Sequence, residues 1–186
     1  MNVRVRKAEY SDLDKVEQLY QELNDHLAAH ENYPGWKRDV YPTREDAEEG
    51  FRSGGLYVAE NQGKIAGTVI FLYEQDEVYR SINWQIDLDT PVIILHILAV
   101  HPEYFGCGVG KALLDHAEFL GRQQGIRAIR LDTYEKNLPA ARLYEKCGFQ
   151  YIGLADLGLE ETTGLKWFKI YEKVLIPHPT FPVSSL

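Results

Sequence analysis

The segment from Val92 to Leu114 constrains this chain most. Val92 to Val100 is a nearly continuous apolar run, broken only by His96. Such a run suits a central strand buried on both faces. It ends at a short turn, His101-Pro102-Glu103-Tyr104, and then Gly106, Gly108 and Gly110 alternate. Lys111 to Arg122 follows with helical spacing, with Leu113, Leu114, Ala117 and Leu120 on one side. The spacing therefore predicts a buried strand, a glycine loop and a helix. Glycines let the backbone curl so that successive N–H groups converge. The helix start adds partial positive charge, and together these make a site for a phosphate or pyrophosphate.

The rest of the chain supplies layers for that strand. Val3 to Ala8 alternates apolar and basic residues, as a half-exposed strand does. Ser11-Asp12-Leu13-Asp14 reads as a capping box, and Leu13, Val16, Leu19, Tyr20, Leu23 and Leu27 recur at helical spacing. A second cap at Thr43 opens a short helix to about Arg52. Leu56 to Glu60 and Ile65 to Tyr73 read as a hairpin around Asn61-Gln62-Gly63. Residues 74–91 are polar and irregular, a candidate functional loop. Ile126 to Leu131 is a strand, Leu138 to about Lys146 a helix stopped by Gly148, and Tyr151 to Leu154 and Trp167 to Val174 the last strands. The order β-α-α-β-β-β-α-β-α-β-β predicts an α+β or mixed α/β fold. One domain, 1–176, is expected, followed by a proline-rich tail, 177–186.

Composition excludes several classes. No apolar run reaches the roughly 18 residues of a membrane span, and the start lacks the apolar stretch of a secretory signal. Two cysteines give no disulfide framework, so a cytoplasmic protein is expected. With 20 basic and 28 acidic residues the net charge is −8, which argues against nucleic acid as a partner. His26 and His30 stand four apart, but nothing nearby completes a metal-binding set, so no metal is expected. Cys107 and Cys147 carry no identified orienting base.

The loop also excludes two phosphate motifs. A Walker loop needs glycine at 105 and Ser or Thr at 112, where Phe105 and Ala112 stand. A dinucleotide fingerprint starting at Gly106 needs a small residue at 111, where Lys111 stands. Instead, Phe105-Gly106-Cys107-Gly108-Val109-Gly110 resembles the coenzyme A loop of GNAT-type N-acetyltransferases, with Phe105 in place of the family's Gln or Arg. A second segment, Asn137-Leu138-Pro139-Ala140-Ala141-Arg142-Leu143-Tyr144-Glu145-Lys146-Cys147-Gly148-Phe149, resembles the later motif of the same family. The resemblance covers about residues 3–174. It implies a three-layer α/β/α sandwich around a mixed, mostly antiparallel twisted sheet.

The resemblance implies transfer of an acetyl group from acetyl-CoA to a primary amine by direct attack on the thioester. It places the pyrophosphate on the backbone of Gly106, Cys107, Gly108, Val109, Gly110 and Lys111. It places the pantetheine arm along the open edge of Leu98, Ala99 and Val100, with an N–H near Leu98 stabilising the oxyanion. Asn137 would contact the arm or, alternatively, cap its helix. Tyr144 is the expected acid for the departing thiolate, or else a buried aromatic. His96 is the expected base, directly or through water, or else a core histidine. Tyr33, Trp36, Tyr41 and Trp84, with Tyr79, would line the amine pocket or simply pack the loops; Glu31 or Asp87 would attract an amine. The acceptor is a small amine or a peptide or protein amine, and a homodimer is among the expected assemblies. The alternatives are a non-catalytic acyl-CoA-binding module, a transferase of another short acyl group, and a dinucleotide-binding protein.

Overall fold

A computed structural model describes residues 3–75 and 77–175. The expected C-terminal tail lies outside these residues. Seven strands form one sheet: β1 (Arg4–Lys7), β2 (Leu56–Asn61), β3 (Lys64–Leu72), β4 (Val92–Val100), β5 (Ala128–Tyr134), β6 (Gln150–Asp156) and β7 (Trp167–Val174), in the spatial order β1-β2-β3-β4-β5-β7-β6. Every neighbouring pair is antiparallel except β4 and β5. The helices are α1 (Leu13–Ala29), α2 (Arg44–Arg52), α3 (Val109–Gln123), α4 (Leu138–Lys146) and a single turn, α5 (Glu160–Thr163), that the sequence pattern does not announce. The mixed α+β sandwich is the expected one.

Local chemistry explains the helix starts. A 3-10 turn at Tyr10–Asp12 precedes α1, and the Asp12 carboxylate accepts the Glu9 N–H at 2.8 Å. The reciprocal cap therefore closes on Glu9, two residues before the expected Ser11. At α2 the Thr43 N–H donates to Asp46 Oδ2 at 2.7 Å, as expected of a cap there.

The two faces of the sheet bury different sets. On the first face α1 and α2 cover Leu56, Val58, Ile70, Ile97 and Ala99. On the second, α3 and α4 cover Val69, Phe71, Ile93, Leu95, Ile129 and Leu131. Side chains of a strand alternate between faces, yet Ile93 and Leu95 share one cluster while Ile97 and Ala99 share the other. A β-bulge accounts for this. Thr68 pairs with Ala99 and Ile70 with His96, so two steps on β3 span three on β4. Ile97, with φ of 47°, absorbs the extra residue and reverses the parity of the strand.

The long loop is fastened to the first face. Arg130 and Glu172 form a fully buried pair, Nε to Oε1 at 2.8 Å. The Glu172 carboxylate also accepts the Gln85 N–H at 2.7 Å, and Arg130 donates to Gln75 and to the Ile86 carbonyl. Gln75 and segment 77–88 are thus tied down by charged groups whose hydrogen-bonding capacity they satisfy. No helix among the described residues is long and apolar enough to cross a membrane.

Candidate active site

The parallel strands β4 and β5 pair only from Val92↔Ala128 to Leu95↔Leu131. Beyond that rung they part, and a cleft of about 1370 Å³ opens between them. Leu98, Ala99 and Val100 line it from one side, Asp132, Thr133 and Tyr134 from the other, and Gly106, Gly108, Val109, Gly110 and Lys111 at the helix end. The expected strand at 126–131 begins two residues later and extends to Tyr134. Those extra residues form the second arm of the fork.

The three glycines do different work. Gly106 and Gly108 have φ of 73° and 83°, and a Cβ at either would meet nothing within 4 Å. Backbone conformation, not space, requires glycine there. At Gly110 a Cβ would meet Leu143 Cδ2 at 2.8 Å, so this glycine lets α3 approach α4. The first N–H of α3 with an acceptor inside the helix is that of Ala112, on the Gly108 carbonyl at 3.0 Å. The N–H groups of residues 108–111 precede it and have no acceptor within the helix. Such an end, open above Gly106 and Gly108, fits an anionic phosphate. Cys107 departs from expectation. It is absent from the cleft lining, and its N–H is engaged by the Tyr104 carbonyl at 3.1 Å.

Tyr144 on α4 reaches the cleft from the second face, 7% exposed, packed on Phe149 and Tyr171. Burial, then the charge of Asp132, pushes its phenol well above the ordinary tyrosine value. Asn137 also lines the cleft, with both ends of its amide engaged. Its oxygen accepts the Ala140 N–H at 3.4 Å, and its nitrogen donates to Thr133 Oγ1 at 3.0 Å. The capping alternative is therefore the one seen.

The first face supplies the other wall. His96 lines the cleft, with Nε2 3.1 Å from the Tyr41 hydroxyl. Tyr41 stacks edge-on against Trp36, and both line the cleft, as does Tyr33. Burial raises the Tyr41 phenol well above its ordinary value, with the Asp46 and Asp132 charges adding to it. Asp132 accepts a hydrogen bond from Tyr79 at 2.5 Å. Trp84 is a correction, because it does not line the cleft. Its indole lies 4.3 Å from the Arg130 guanidinium carbon and donates to the Tyr79 carbonyl at 2.9 Å. It packs on Tyr79, which was expected beside it and does line the cleft. Asp87 is likewise absent from the lining, whereas Glu31 is present.

Asp132 was not expected. Its signal in the sequence is an acid at period two from Arg130 in an otherwise apolar strand. His26 and His30 also line the cleft. Among the described residues no group of acids, histidines and cysteines has the arrangement of a metal site.

Comparison with known proteins decides the family. The model of the Acetyltransferase (GNAT) family matches residues 16–149. The chain belongs to the GNAT acetyltransferase family. A mycothiol acetyltransferase from Thermomonospora curvata is 29% identical over 123 residues, 66% of this chain but 36% of that protein. A streptothricin acetyltransferase from Escherichia coli is 38% identical over 117 residues, 63% of this chain and 61% of that protein. The chain thus matches only part of the length of these relatives. Among solved structures, a GNAT family acetyltransferase from Streptococcus agalactiae superposes with a TM-score of 0.76 at 24% identity, covering 92% of this chain and 95% of that one. This GNAT chain has the fold of that structure.

Proposed function

We propose that the fork between β4 and β5 takes acetyl-CoA and that the chain transfers the acetyl group to a primary amine. One observation carries the reading. The fork opens at one end onto the free N–H groups of residues 108–111, and at its base stand a histidine, an acid and a buried tyrosine. When bound, acetyl-CoA supplies the activated acetyl thioester.

Each job then has a residue. The helix end and its loop bind the pyrophosphate through backbone donors, where a net charge of −8 is no obstacle. The unpaired edge at 98–100 lies beside the pantetheine arm as a strand would. At the bulge, residues 97 and 98 have no register partner on β3, which favours an N–H there as the oxyanion donor. His96 accepts the proton of the amine. Asp132 attracts and orients the ammonium form. Tyr144, its phenol kept protonated by burial, donates to the leaving thiolate.

The acceptor enters from the aromatic side, past Tyr33, Trp36 and Tyr41. Flat rings beside Glu31 and Asp132 suit a cationic amine. The relatives include both mycothiol and streptothricin acetyltransferases, which fits a small-molecule amine acceptor here. Thiol release from acetyl-CoA against a panel of small amines and N-terminal peptides tests this. Amine-dependent release supports the reading. Tight coenzyme A binding without release across the panel would assign the chain to acyl-CoA binding alone.

A further inference from the structure

The wall of the cleft next to the glycine loop carries two histidines that the transfer chemistry does not use. His26 and His30 stack with ring centroids 4.1 Å apart and planes 18° apart. Phe105 meets His26 edge-on at 5.4 Å. All three line the same cleft as Gly106 and Gly108.

The turn after β4 runs along α1 in register. Glu22 pairs with His101 at 2.5 Å, and one helical turn later His26 meets Phe105. Residues four apart share a helix face, so the same direction carries the stripe past Phe105 to His30 and the loop on toward Gly106. Phe105 stands where a polar Gln or Arg occurs in the related loop motif. The histidines are the polar groups beside that apolar ring.

The tautomer of His30 is set by the helix end. Its Nδ1 lies 2.8 Å from the His26 carbonyl, and only a protonated nitrogen can bond a carbonyl. Neutral His30 therefore has Nε2 bare, an acceptor that a phosphate oxygen avoids. Protonation makes Nε2 a charged donor that a phosphate oxygen accepts. Stacking opposes two charges at once, and the C-terminal end of α1 favours one. An incoming phosphoryl group favours that charged form further.

The surrounding charges are largely satisfied within the protein. Glu22 accepts the Nε2–H of His101, whose Nδ1 accepts the Glu103 N–H at 3.2 Å. On α1 Asp25 is bound by Arg38, and at the start of α3 Lys111 is bound by Asp115. Glu31 follows the helix end, and Lys37, Arg142 and Lys146 also line the cleft.

We infer that the stacked His26–His30 pair is a proton-gated phosphate-recognition element, which takes a phosphoryl group of coenzyme A in its protonated form. The inference rests on the acetyl-CoA reading of this cleft. Coenzyme A affinity should then rise about tenfold from about pH 8 to about pH 6, the size of one added charge-assisted contact.

Calorimetric titration with coenzyme A at both pH values tests this. It uses the wild type, the exposed-site variant His30→Gln, and the double variant His26→Asn/His30→Gln, each checked for an unchanged melting temperature. The expected result is a pH-dependent affinity in the wild type that is flat in the variants, with proton uptake on binding only in the wild type. The same titration with 3′-dephospho-coenzyme A locates the contact. A retained pH effect assigns it to the pyrophosphate, and a lost one to the 3′-phosphate. An equal pH slope in wild type and folded variants, or no slope in the wild type, overturns the inference alone. Failure of the wild type to bind coenzyme A at either pH overturns the cofactor reading itself.

Discussion

His96 and Asp132 are each the first residue past the last rung, Leu95↔Leu131, that joins the two parallel strands at the centre of the sheet. Both stand on the first face, by the same alternation that carries Ile94 and Arg130 there. Each is held by a phenol from the covering segments, His96 by Tyr41 and Asp132 by Tyr79. A base and an acid thereby stand one on each strand at the base of the fork, and their roles separate kinetically. His96→Gln should lower kcat by about 10²–10⁴-fold, the usual worth of a positioned base. Asp132→Asn should chiefly raise KM for the amine, by about tenfold. Steady-state kinetics checks both, and a larger loss of kcat in Asp132→Asn than in His96→Gln would reassign the base.

Tyr144→Phe should keep the fold and the KM for acetyl-CoA while kcat falls by about 10²-fold. The Tyr144 phenol titrates well above its ordinary value because it is buried beside Asp132. A wild-type basic limb from this residue should therefore lie above the ordinary tyrosine range, about pH 10. Full turnover in Tyr144→Phe under saturating substrates removes Tyr144 from the reaction.

Gly108→Ala and Gly110→Ala should fail differently. At Gly108, with φ of 83° and open space around, alanine costs about 1–2 kcal/mol of backbone strain and disturbs the donors of the helix end. Coenzyme A affinity should fall with a modest loss of stability. At Gly110 the added methyl pushes on Leu143, next to Tyr144 on α4. There turnover should fall more than cofactor affinity. Calorimetry and kinetics on the two variants tell them apart.

The Arg6–Asp12 pair sets an acid limit on stability. The Arg6 guanidinium holds the buried Asp12 carboxyl below its ordinary value of 3.8. A depressed carboxyl contributes stability above the unfolded value, and that contribution is lost as pH falls through the folded one. Asp12→Asn should cost about 1–3 kcal/mol at neutral pH, and the gap to wild type should close in acid. Urea unfolding from neutral to acidic pH measures it.

Glu172→Gln leaves Arg130 buried with its charge uncompensated, which should cost about 3–5 kcal/mol. The variant also weakens the anchor of segment 77–88, so proteolysis there should accelerate and Tyr79 should lose its fixed place on Asp132. Limited digestion with mass mapping is the readout. Unchanged cleavage would separate the buried pair from the loop.

The sequence was most legible where one residue type has one physical use. Gly106 and Gly108 adopt a backbone that other residues resist, so the loop could be read from them. The fork could not be read in the same way. In Val92 to Val100 nearly every residue is apolar, so no alternation reveals the reversal at Ile97. Arg130 and Asp132 belong to a strand whose polar side chains are paired from β7 and from a loop distant in sequence, which no local pattern shows. Trp84 had the composition of a pocket residue, but its cation partner is Arg130, inside the protein.

The bulge at Ile97 makes one strand serve two separate neighbourhoods. Changes at Ile93 or Leu95 are felt by the layer of α3 and α4, which holds the glycine loop and Tyr144. Changes at Ile97 or Ala99 are felt by the layer of α1 and α2, next to the aromatic entrance. The aromatic entrance can therefore be altered while the layer of α3 and α4 stays as it is. Libraries aimed at new amines belong at the aromatic entrance, at Tyr33, Trp36 and Tyr41.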